Sequence, residues 1–148
     1  MFKDILVPVD GSDHALHALD VACDLAQKYG ATLRLVHAYP PIFTEGMMGS
    51  DDIEAIIATR AKAGDEILQR AVEHIQGRVT DVTTELREAP DAEAILEEAE
   101  VHHCDLIVMG TRGLGRLAGL LLGSVSQKVV QHARCPVLLV RRVSAGLA

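Results

Sequence analysis

DLIVMGTRGLGRLAGLLLGS, residues 105–124, reads as a short apolar strand, a glycine-rich loop and the start of a helix. The strand ends in Gly110, the loop carries Arg112 and Arg116, and Gly123-Ser124 opens the helix. A buried strand, a pliable loop and a helix N-terminus together make a pocket for an anion, because free N–H groups and the positive helix end point at the bound charge. The loop is basic in an otherwise acidic chain, which favours phosphate over a cation.

Working outward, residues 5–9 are apolar without alternation, as expected of a strand buried on both faces, and residues 105–109 read as the fourth strand. Asp10-Gly11-Ser12-Asp13 turns the chain, and Ser12 or Asp13 can cap a helix with Ala15, Leu19, Ala22 and Ala26 on one face and Gly30 at its end. Residues 32–38 read as the second strand, residues 42–50 as a loop, and residues 51–76 as a long helix ended by Gly77. The third strand, residues 79–87, alternates through Val82, Thr84 and Leu86, so one face or edge is wet. Pro90 and Asp91 start a third helix, with Asp91 and Glu93 in its first turn. A fourth helix spans 124–133 and a fifth strand 137–141. This βαβαβαβαβ order predicts an α/β fold, an open five-stranded parallel sheet with helices on both faces. Residues 1–148 read as a single domain with a loose tail at 144–148.

Composition agrees. The chain is 49% hydrophobic with 3% aromatic residues and no Trp, so the core must be Val, Ile, Leu and Ala. A net charge of −7 does not suit a nucleic-acid partner, which needs a basic face. The apolar runs are too short to span a membrane, and the first residues show no cleavable leader pattern. Cys23, Cys104 and Cys135 have no metal or disulfide spacing and read as small buried residues of a reducing compartment, the cytoplasm.

Ligands of such sheets bind at the carboxyl ends of strands where the strand order reverses. Two ends are equipped, Pro8-Val9-Asp10-Gly11 and Met109-Gly110-Thr111-Arg112-Gly113. Asp10 facing the glycine loop would accept a ribose hydroxyl or reach a phosphate-bound Mg²⁺; alternatively it only shapes the turn. GxxxxGK[ST] is absent, and no GxGxxG follows the first strand. Ser124-x-x-Gln127 fits a capping box, which would form without any ligand. His102-His103 reads as a helix C-terminus rather than a metal pair, His37 as packed in the sheet, and Glu97-Glu98 and Asp51-Asp52 as solvated helix faces.

Gly110-x2-Gly113-x9-Gly123-Ser124, with Pro8-Val9-Asp10-Gly11-Ser12 in front and Cys135-Pro136-Val137-Leu138-Leu139-Val140 behind, resembles the universal stress protein family over essentially the whole chain. The glycine pattern is similar to that of the ATP-binding branch. The resemblance implies a Rossmann-like sheet of order 3-2-1-4-5 that holds ATP and Mg. It implies Asp10 beside the ribose or the metal, Pro8 and Val9 beside the adenosine, and Ala38 at the adenine, where the family often carries a branched residue. Met109, Gly110, Arg112 and Gly113 would wrap ribose and phosphates, and Gly123, Ser124, Val125 and Ser126 would hold the phosphates. It further implies a homodimer through the fifth strands, Val137, Leu138, Leu139 and Val140. Three functions remain open at this point: an ATP-binding stress-response switch that also meets a protein partner, a slow Mg-dependent ATPase, and a nucleotide-independent interaction module. The sequence offers no clear general base for fast hydrolysis.

Overall fold

The structure, a computed structural model, describes residues 1–42, 46, 49–111 and 122–141. Strands β1 (Asp4–Pro8), β2 (Thr32–Tyr39), β3 (Val82–Glu88), β4 (Leu106–Gly110) and β5 (Val137–Val140) form one sheet in the order β3-β2-β1-β4-β5. All four pairings are parallel. Helices α1 (Asp13–Tyr29), α2 (Ser50–His74), α3 (Asp91–Val101) and α4 (Ser124–His132) provide the crossovers. The expected α/β sheet and its strand order are therefore present.

The apolar runs are explained by two cores, one on each face. On one face Ile5, Val7, Leu33, Leu35 and Val108 meet Leu19 and Cys23 of α1 and Leu68 of α2. On the other, Leu6, Val36, Ile107 and Met109 meet Ile95 of α3 and Val129 of α4. Successive strand residues point to opposite faces, so a strand covered twice has no polar positions left. Each fully buried Leu, Ile or Val contributes about 1.5–3 kcal/mol relative to exposure.

Local signals place the helix ends. The Ser12 hydroxyl accepts the Ala15 N–H at 3.2 Å and caps α1. Gly30 closes it in the left-handed region at φ 66°, which a residue with a Cβ adopts only at a cost. The third strand begins at Val82 rather than residue 79, because the chain turns through Gly77 and the Arg78 N–H bonds the Ile75 carbonyl at 3.0 Å. Val82 and Leu86 pack against the first core, whereas Thr84 is exposed on this edge strand.

Glu98 departs from expectation. It is 5% exposed, not solvated. Arg87 of β3 donates to its Oε1 at 3.1 Å, and His102 Nε2 stands 3.2 Å from its Oε2. Glu98 lies three residues after Ile95, hence on the face of α3 that turns to the sheet. Its neighbour Glu97 is exposed and pairs with the same Arg87 at 2.6 Å. The expected tail at 144–148 and most of the expected loop at 42–50 lie outside the described residues.

Candidate functional site

A cleft of about 510 Å³ opens at the carboxyl ends of β1, β2 and β4. The central strand β1 has α1 and α2 on one face and α3 on the other; the chain leaving β1 crosses to β2 and the chain leaving β4 crosses to β5, so the two depart in opposite directions from neighbouring strand ends. From β1 and the turn after it the cleft receives Pro8, Val9 and Asp10. The end of β2 adds Ala38, and the end of β4 adds Met109 and Gly110. The opening of α4 adds Gly123, Ser124, Val125 and Ser126. These ten residues, far apart in sequence, are thus brought to one surface. Arg112, Gly113 and Arg116 lie outside the described residues.

Asp10 shapes its turn and also lines the cleft. Its Oδ1 accepts the Ser12 N–H at 2.9 Å. The turn-shaping role is thus present, and the carboxylate also stands at the cleft.

The start of α4 differs from the expected capping box. Gly123, not Ser124, is the cap residue, with φ −71° and ψ 164°, and no side-chain cap bond forms. Ser124 is already helical, so its hydroxyl is past the position from which it could reach the third helical N–H. Ser126 is buried, and its hydroxyl lies 2.9 Å from the Thr111 carbonyl and 3.1 Å from that of Gly123. Its side chain is thereby committed to the backbone, leaving its N–H as the group suited to an anion.

Helix charges give the cleft a polarity. Asp13 stands in the first turn of α1, Asp51 and Asp52 in that of α2, and Asp91 and Glu93 in that of α3. The first turn of α4 carries no acid. A negative ligand group is therefore favoured at α4 and disfavoured at the other three.

His37, read as a packing residue, lines the cleft as well. Its Nδ1 is 2.7 Å from the Val9 carbonyl oxygen. A carbonyl only accepts, so Nδ1 carries the proton. Its position beside Ala38 at a strand end was the available signal. Asp91 and Ile95 of α3 and Ile67 of α2 also line the cleft and were not singled out. Burial pushes the Asp91 carboxyl above the ordinary carboxylate range; His37 opposes this and the charge of Asp10 adds to it.

Among the described residues no group of three His, Cys, Asp or Glu side chains could hold a metal ion. His102 closes α3 and faces Glu98, and His103 follows in the left-handed region at φ 53°. No helix among the described residues is long and apolar enough to cross a membrane.

Residues 1–141 match the sequence profile of the Universal stress protein family. The chain belongs to that family. It is 46% identical over 144 residues to a universal stress protein of Thermus aquaticus, covering 95% of this chain and 100% of the relative. Among solved structures, the universal stress protein UspA from Lactobacillus plantarum aligns with a TM-score of 0.82 at 28% identity, covering 95% of this chain and 98% of that one. A universal stress protein in complex with cAMP aligns at 0.72 and 29% identity, over 94% and 97% of the two chains. The universal stress protein from Archaeoglobus fulgidus in complex with dAMP aligns at 0.67 and 26% identity, over 93% and 97%. Two structural relatives of this stress protein are thus nucleotide complexes.

Proposed function

We propose that this universal stress protein binds ATP in the cleft and acts as a homodimeric switch in a stress response. The observation that carries the reading is the opening of α4. Among the described residues it is the helix N-terminus of the cleft with neither an acid in its first turn nor a side-chain cap, and Gly110 and Gly123 flank it. Its unpaired N–H groups suit phosphates. The apolar walls made by Val9, Ala38, Ile67 and Met109 suit a base and sugar. The cAMP and dAMP complexes of the two relatives support an adenine nucleotide.

Mg²⁺ enters with the phosphates in this reading. The ion commonly keeps several waters and takes one or two carboxylates besides the phosphates. Asp10 fits as one such carboxylate, since the Ser12 N–H occupies only its Oδ1. In the same reading Arg112 and Gly113 complete the phosphate side. The dimer forms by pairing of β5 with β5 of a second copy, because β5 is an edge strand. The switch acts on a protein partner, and three free thiols suit a reducing cytoplasm.

The test joins two measurements. Nucleotide released by denaturing freshly purified protein is identified, and ATP binding is measured by calorimetry for wild type and Gly123→Asp. Asp at the cap position stabilises the helix yet brings a negative charge to the phosphates. The expected result is a retained or raised melting point with ATP affinity lowered at least about tenfold. ATP affinity unchanged in Gly123→Asp would sink the assignment.

A further inference from the structure

The cleft has an acidic middle that phosphate binding does not require. Strand order sets β1 between β2 and β4, so Asp10 stands between Ala38 and Gly110. Neighbouring strands lie about 4.8 Å apart, so the span from β2 to β4 is about 10 Å. A 5′-nucleotide laid from the end of β2 to the start of α4 passes its ribose over this middle.

Asp91 reaches the same place from the other layer. The Ala89 N–H bonds the Tyr39 carbonyl at 3.0 Å, which ties the start of α3 to the end of β2. Helix α3 packs against β2, β1 and α4. Ile95, four residues on and on the same face, lines the cleft with Asp91. Asp10 and Asp91 therefore bracket the stretch between the base end and the phosphate end. The described residues lining the cleft include no Lys or Arg to neutralise them. Desolvation and the charge of Asp10 work against an ionised Asp91 while His37 works for it, and hydrogen-bond donors from a ligand add to the side of the ionised form.

An ionised carboxylate only accepts hydrogen bonds. A free ribose 2′,3′-diol offers two donors. A 3′,5′-cyclic phosphate removes the 3′ donor and brings negative charge to the same spot. The geometry points to Asp91 as a specificity-determining residue that, with Asp10, selects 5′-nucleotides with a free ribose diol over 3′,5′-cyclic nucleotides. This rests on the adenine-nucleotide reading of the cleft.

Asp91 also sits where its charge favours the dipole of α3, and Glu93 shares that turn without lining the cleft. Glu93→Gln is therefore the control for a merely structural charge. Affinities for AMP and cAMP are measured by calorimetry on wild type, Asp91→Asn and Glu93→Gln, and the AMP-to-cAMP preference is the readout. Asp91→Asn is expected to lower the preference about tenfold, the scale of one hydrogen bond to a charged group. Glu93→Gln is expected to leave it within about twofold. An unchanged preference in Asp91→Asn, or an equal loss in Glu93→Gln, overturns the role of Asp91 while leaving nucleotide binding intact. Absence of binding by all three proteins overturns the adenine-nucleotide reading, and the role of Asp91 falls with it. If Asp91→Asn does not fold, Asp91→Ser carries the same measurement, since Ser is accepted at helix starts.

Discussion

Ser126 Oγ lies 2.9 Å from the Thr111 carbonyl oxygen and ties the first turn of α4 to the residue just after β4. The Gly123 N–H reaches the same carbonyl at 2.7 Å. The two ends of the glycine-rich segment are thereby pinned together, which fixes the first turn of α4 where its residues line the cleft.

Ser126→Ala removes one buried hydrogen bond while Gly123 keeps the Thr111 carbonyl satisfied. A loss of about 1 kcal/mol follows, equivalent to roughly 3 °C in melting temperature for a chain of this size. Under the proposed function, ATP affinity falls with it, because the helix start is less firmly placed. Thermal unfolding checks the first outcome, and an unchanged midpoint contradicts it.

Gly64 sits inside α2 where a longer side chain has no room. A Cβ built there falls 2.5 Å from Leu86 Cδ1 and 3.0 Å from His37 Cδ2. Leu86 can swing aside, but the His37 ring is held by its bond to the Val9 carbonyl. Gly64→Ala gains about 1 kcal/mol of helix propensity and meets overpacking of about 1–3 kcal/mol. The net expectation is a loss of about 1 kcal/mol. In a Leu86→Ala background the loss should shrink or reverse, a coupling that a double-mutant cycle by denaturant unfolding measures. Additive effects would show that the crowding does not decide the outcome.

Which features were legible in the sequence follows from where their causes lie. The runs at 5–9 and 106–109 are readable because a strand covered on both faces must be apolar throughout. Ser12 and Gly30 were readable because caps act within one turn. Ala38 and Gly110 could be placed at strand ends, where such folds bind ligands. Asp91, Ile67 and His37 reach the cleft only through the packing of α2 and α3 on the sheet, which no local pattern encodes. Glu98 looked solvated because its partner Arg87 lies on another element. The cap of α4 falls one residue before Ser124 because Gly123 and Ser124 are both acceptable there, and the backbone takes the glycine.

Asp20 should govern part of the acid response. Burial alone would raise its carboxyl, yet Arg78 at 2.8 Å and His74 at 2.9 Å outweigh that and hold it below the ordinary range. A folded-state value below the unfolded one gives stability that is present above the unfolded value of about 3.9 and lost as the pH falls through the folded value. Asp20→Asn therefore destabilises at pH 6, by less than about 1 kcal/mol because the pair is solvent-screened. The gap to wild type should close as the pH drops below 4. Urea unfolding at pH 3 and pH 6 reads both values, and a gap that widens in acid contradicts the assignment.

Strand β5 offers the test of assembly. Leu138 is 38% exposed, whereas Leu139 is partly buried against the second core. A lysine at Leu139 would therefore disturb the fold along with any interface. Leu138→Lys instead puts a charge at a solvent-exposed position of an edge strand, the device by which natural sheets prevent pairing. In the proposed dimer it shifts sedimentation from two chains to one with little change in the melting point of the monomer. A wild-type protein that sediments as a single chain across the micromolar range removes the dimer from the proposal. A Leu138→Lys variant that stays paired moves the interface away from this face.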